Sequence, residues 1–276
     1  IEAAQRIDGD SAADASWRAI NAIDDVALEI LTLTDRITVA ALQGKLRETG
    51  AMLDDWPAEE ALPAPEALVA ELVDELPRVA VWHLYQHGPA AADALRAGLA
   101  SDNEHTRWWC AVAGAMIGLP EAAEELLAVF AARDERLPRS RPDEPDYYLI
   151  RMAPRWVVAM ALLGRLQERR AVAPTAAVLA EDAPADVLIA AVRALGRIGD
   201  PAAVAPLRAF IARDDLPTTG RIQNSMRHDE ARGHDITWAL HLATADALQQ
   251  VGAPAPELAA PYADDPRAYV RAYANR

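Results

Sequence analysis

Three histidines with acids between them are the first residues in this chain that could do chemistry. The segment RHDEARGHDITWALH places His228, His234 and His241 six and seven residues apart, beside Asp229, Glu230 and Asp235. Imidazoles and carboxylates together suit a divalent cation. A helix, however, brings ligands onto one face at spacings of three or four, and the His-Glu-x-x-His arrangement is absent. No metal site is expected. Cys110 is the sole cysteine, directly after Trp108 and Trp109. Alone, it forms neither an internal disulfide nor a multi-cysteine zinc site. On an apolar helical face it acts as a small hydrophobe, because a reactive thiol needs an exposed, electropositive setting. No Ser–His–Asp order, phosphate loop or spaced carboxylate pair stands out, so neither catalytic residues nor a resident cofactor are expected.

Binding is the chemistry that remains, and two stretches without helical periodicity suit it. They are RDERLPRSRPDEPDYYLIRMA at 133–153 and DDLPTTGRIQNSMRHDEARGH at 214–234. Insertions this long are uncommon in compact arrays unless they bind something or are disordered. Tyr147 and Tyr148 offer amphipathic contact surface. Arg151 and Arg155 flank Pro154 at an expected helix start, where free N–H groups favour an anion. His228, Asp229, His234 and Trp238 lie on or next to the second insertion. These eight are the candidate binding residues.

The elements that must position them are read from VLIAAVRALGRIGDPAAVAPLRAFI, residues 187–211. Val187, Ala191, Ala194, Leu195 and Ile198 recur at helical spacing and form one apolar face. Gly199 supplies a stop, Asp200 a cap for the next helix, and Pro201 fits that helix's first turn. Val204, Leu207, Phe210 and Ile211 line the second helix. Such a hairpin cannot cover its own apolar side and needs copies stacked against it. The copies are present. Thirty-two residues earlier, Gly164-Arg165-Leu166 lies under Gly196-Arg197-Ile198; eighty-one earlier, Gly118 and Pro120 lie under Gly199 and Pro201. Looser copies surround Gly88 and Gly252, and DDPRAYVRAYA near the end reads as the first helix of one more unit.

This pattern resembles HEAT-like repeats of the short alanine-rich type found in phycobilin lyases, over roughly residues 65–276. RALGRIGDPAAVAPL and DDPRAYVRAYA carry the resemblance. It implies an all-α fold: a right-handed α-α solenoid of about five hairpins at 61–276, behind an N-terminal helical cap at 1–60. Both insertions follow the second helix of a hairpin, so they would leave from one edge, a loop-bearing rim. With helices packed roughly 8–10 Å apart, their roots would lie on the order of 20 Å from each other. A second resemblance belongs to ITVAALQGKLRETGAML, which is similar to the closing segment of bacterial FAD-dependent oxidoreductases with a C-terminal HEAT-like region. RWVVAMALLGRL and YADDPRAYVRAYA are similar to that region as well. It implies an accessory region whose flavin domain lies outside this chain, because no Gly-x-Gly-x-x-Gly turn is present here.

Composition narrows the partners. The 276 residues carry a net charge of −15, which repels nucleic acid. No apolar run reaches the roughly 18 residues of a membrane span, and no signal-like start is present, which together suggest a cytoplasmic protein. The chain begins at Ile1 instead of Met, as a piece of a longer product would. The sequence reads as a non-catalytic interaction or scaffold module for a protein partner, or for an enzyme domain of the same polypeptide, with neither nucleic acid nor membrane as partner. The pattern sets no oligomeric state. If Gly199 holds a left-handed cap, Gly199→Val lowers stability by about 1–3 kcal/mol, measured by denaturant unfolding. An unchanged midpoint would mean the corner is drawn wrongly.

Overall fold

The structure, a computed structural model, describes residues 62–73, 78–135, 154–220, 234–266 and 268–275. The expected cap at 1–60 lies outside the described residues. The helices are α1 (Pro65–Ala70), α2 (Arg78–His87), α3 (Ala92–Leu99), α4 (Glu104–Ile117), α5 (Ala123–Ala131), α6 (Arg155–Arg165), α7 (Val172–Val178), α8 (Ala185–Ile198), α9 (Val204–Ile211), α10 (Thr237–Gln250), α11 (Pro256–Ala259) and α12 (Ala268–Ala274). From α2 to α11 they form five consecutive hairpins, as the repeat pattern requires. One departure from an all-helical chain is a pair of two-residue strands, β1 (Thr219–Gly220) and β2 (His234–Asp235).

The described residues fall into two compact units that divide between Leu162 and Leu163, within α6. In the first unit, α4 packs on both helices of the preceding hairpin, α2 and α3, and α1 packs on all three. In the second, α8 packs on α7, and α10 packs on α8, α9, α11 and α12. α4 and α10 are thus each covered by both helices of the hairpin before them. The face of α8 that the sequence marks as apolar is buried, with Val187, Ala191, Ala194, Leu195 and Ile198 all below a tenth exposed, and burial extends beyond it to Leu188, Ile189, Ala190 and Val192.

Every hairpin turns at a residue in the left-handed region. These are Gly88, Gly118, Gln167, Gly199 and Gly252, with φ of 57°, 80°, 55°, 70° and 79°. They stand 30 and 32 residues apart where hairpins follow directly, and 49 and 53 apart across the insertions. The bonds around three of the corners are the same. Gly118 N–H donates to Ala115 and Leu119 N–H to Gly114; Gln167 and Glu168 bond likewise to Gly164 and Leu163, and Gly252 and Ala253 to Gln249 and Leu248. This is the helix stop in which two successive N–H groups fold back over the last turn. Asp200 Oδ1 then accepts from Ala202 N–H at 2.9 Å, and Glu168 does the same for Arg170 N–H at 3.0 Å.

Gln167 is therefore the repeat's glycine position filled by a side-chain-bearing residue. A left-handed conformation costs an L-residue roughly 1–2 kcal/mol, and the exposed Gln167 has no burial to offset it. Gln167→Gly is expected to raise stability by about 1 kcal/mol in denaturant unfolding, opposite in sign to Gly199→Val. An equal or lower midpoint would show that the corner is not governed by backbone conformation.

Candidate functional site

Tyr147, Tyr148, Arg151, His228 and Asp229 lie outside the described residues, and His234 is described only by its backbone in β2. Two of the eight candidates can be placed in full, Arg155 and Trp238. Each sits at the base of an insertion.

Arg155 opens α6 as expected, but its side chain does not reach solvent. It is 4% exposed, with its guanidinium carbon 5.3 Å from the Trp108 ring centroid. Nη2 donates to His105 Nδ1 at 3.3 Å, and Nη1 is 3.8 Å from Asp134 Oδ2. A cation enclosed this way is not an open anion site. Arg155 belongs instead to the foundation of the first insertion, because Asp134 leads into the insertion and Arg155 follows it. The two ends of the insertion meet where Trp156 N–H donates to Asp134 O at 3.2 Å. Trp156 stacks on Phe130 with centroids 6.3 Å apart and planes 9° from parallel. Arg133 covers that stack, 4.4 Å from the Trp156 centroid and 5.6 Å from that of Phe130. The Trp156 indole N–H donates to Glu135 Oε1 at 3.0 Å. Arg133 reaches this place with φ of 49°, unusual for a residue other than glycine.

The second insertion is closed by backbone pairing. Thr219 faces Asp235 and Gly220 faces His234 in an antiparallel pair, extended by Ile236 N–H donating to Thr218 O at 3.1 Å. Ile236 is buried and β1 packs on α8. Asp235 Oδ1 accepts from Thr237 N–H at 3.0 Å and its carbonyl accepts the Trp238 indole N–H at 3.1 Å. Trp238 is thereby tied to the foot of the insertion. One turn further along α10, His241 Nδ1 is hydrogen-bonded to the Tyr262 hydroxyl at 3.0 Å, the rings meeting edge to face at 70°.

The residues that sequence reasoning passed over are His105, Arg133, Asp134, Glu135 and Trp156. A signal was available in the aromatic flanks of the first insertion, Phe130 before it and Trp156 after it. Cys110 is wholly buried, and burial pushes its thiol up to about 12, far from a nucleophile's range. Among the described residues no cluster of three or more His, Cys, Asp or Glu side chains is placed to hold a metal ion. No helix among them is long and apolar enough to cross a membrane.

Residues 153–224 match the family described as HEAT repeats, so the segment running from α6 through α9 is built of HEAT-like repeats. The complex of CpcE and CpcF of phycocyanin lyase from Nostoc sp. PCC7120 is similar in structure, with a TM-score of 0.43 and 20% identity, over 81% of this chain and 67% of that one. A 53-residue segment is 49% identical to hydrogenase maturation factor HoxX of Bradyrhizobium diazoefficiens. That match covers 19% of this chain and spans 8% of the length of the maturation factor.

Burial holds the half-buried His241 below its ordinary pKa of about 6.5, with Asp235 pulling weakly the other way. As pH falls, the unfolded chain therefore takes up this proton before the folded one does, and stability declines below about pH 6.5. His241→Phe keeps a ring against Tyr262 and removes the proton. Its stability, measured by denaturant unfolding, should change less than that of the parent between about pH 7.5 and about pH 5.5. Equal changes in the two proteins would clear His241 of this role.

Proposed function

We propose that this chain is a non-catalytic interaction module, a HEAT-like array that binds a protein partner through its groove and the edge bearing its insertions. The observation that carries the reading is that both insertions start and finish at closed, hydrogen-bonded roots on packed helices. A recognition loop on a rigid scaffold needs such a root, because ordering a loose one on binding consumes affinity. A cytoplasmic location fits the lone reduced cysteine. Nucleic acid is not the partner proposed: residues 76–276 hold 25 acidic and 22 basic residues and so offer no net basic surface.

A second reading makes the chain an accessory region of a larger enzyme, of which an FAD-dependent oxidoreductase is the form that residues 37–53 suggest. The HoxX match favours it in one respect, since part of this chain recurs inside a much longer protein. Intact mass and a visible absorption scan of the protein purified from its native source separate the two readings.

The test of the first is affinity capture with the wild type and with Tyr147→Ala/Tyr148→Ala and Arg151→Ala variants. The partner retained by the wild type should fall roughly tenfold on the variants, the loss of one or two interface anchors, while their unfolding midpoints stay in place. Equal retention by all three proteins, or none by the wild type, overturns the reading.

A further inference from the structure

We infer that the arginine–aromatic stack at the root of the first insertion is a positioning device, with Trp156 as its central residue. Trp156 meets the Phe130 ring, the Arg133 guanidinium and the Glu135 carboxylate together. Its own N–H closes the root on Asp134 O. Arg133 and Glu135 lie on the outgoing strand of chain, Trp156 on the returning one, so the stack fastens the two ends together across the gap. Arg155, one residue earlier, adds a second tie to the same outgoing strand through Asp134 while its guanidinium rests on Trp108. The helix α6 then continues inward from this point with Val157 and Val158, whose N–H groups both bond to Pro154 O.

Two features mark this as a built device instead of ordinary core. Arg133 adopts a left-handed backbone that a non-glycine residue avoids, and its side chain lands on the stack. The ring contacts are also cation-to-face, a geometry that gains strength where water is excluded, and Trp156 is only 7% exposed. The direction in which the insertion leaves the array is therefore set by residues that no partner needs to touch. That the insertion contacts a partner rests on the reading above; that this root holds its ends does not.

Hydrogen exchange on the intact chain tests the inference. In Trp156→Leu, exchange of the amides opening α6, residues 156–158, should quicken by about tenfold or more, as expected for local opening once a stacked cation and a hydrogen bond are lost. Amides of α8 and α10 should exchange as in the wild type. Trp156→Phe keeps a ring between Phe130 and Arg133 and should restore most of the protection. Unchanged exchange in Trp156→Leu overturns the inference, as does acceleration spread equally through α4 and α5, which would make Trp156 plain core. Arg133→Ala removes only the upper plate of the stack and provides the same test should the leucine variant not fold: several-fold faster exchange confined to the start of α6 is expected, and none overturns the idea. Capture of a partner is not the readout, so failure of the binding reading leaves this result where it stands.

Discussion

The contact on which the second unit depends most is one between backbones. A Cβ placed on Gly196 would lie 2.7 Å from the Ala247 Cα, and one on Gly164 would lie 2.8 Å from the Ala194 Cα. Both distances are shorter than side-chain carbons tolerate, so α8 and α10, and likewise α6 and α8, approach as closely as helices can. Each hairpin is a thin layer whose apolar side is hidden only when the next layer seats against it. Glycine on one helix facing alanine on the next makes that seating tight, and dense packing is where dispersion accumulates. The first unit solves the same problem with another pair. A Cβ on Gly98 would collide with the Cys110 sulfur, so the thiol fills space that a glycine vacates. This accounts for the buried cysteine without any appeal to reactivity.

What holds successive hairpins in register is a different chemistry, supplied by arginine. Arg107 Nη1 donates to Ser101 O at 2.8 Å and Asp102 O at 3.0 Å, in the loop that enters α4. Arg271 Nη1 does the same to Asp265 O at 2.6 Å and Pro266 O at 3.0 Å, in the loop that enters α12, at the same sequence separations. The loop before α8 has no arginine at the matching position, and Arg213 reaches it from outside, bonding Leu179 O and Glu181 O while gripping Asp215 with its other nitrogens. Each of these loops has carbonyls that no helix satisfies. A planar, five-donor head can serve two carbonyls and a carboxylate together, which an ammonium group does less well. Lys45 is the chain's sole lysine, and this junction chemistry gives the preference for arginine a structural use.

Such devices explain what the sequence could and could not convey. Local signals repeat: an apolar stripe, a stop, a cap and a proline each depend on near neighbours, and α8, its Gly199 corner and α9 follow them as read. The third corner was missed for the same reason, because Gln167 carries no glycine signal and only its place 32 residues before Gly199 reveals it. Glycine at 164 and 196 was visible as a coincidence of alignment, yet its purpose needs the neighbouring helix. Arg155 shows the limit most plainly. A position after proline at a helix start suggests an exposed cation, whereas the facing Trp108, His105 and Asp134 come from segments 20 to 50 residues away, and long-range enclosure leaves no local trace.

Charge is arranged on a coarser scale than the hairpins. Residues 1–75 contain 17 acidic and 5 basic residues, so most of the net −15 belongs to them, while the remainder is nearly balanced. The field argument against nucleic acid therefore acts chiefly through the first quarter of the chain, and the array itself is close to neutral. A neutral array of alanine-lined helices has little with which to discriminate one partner from another, since specificity requires groups that a wrong partner would leave unpaired. Mixed charge and paired tyrosines occur in the insertions instead, where the repeat no longer constrains the residues. The composition follows from the physics of the repeat: positions that must accept a neighbouring hairpin are committed to small apolar residues, and under the proposed reading recognition falls to the segments between the closed roots.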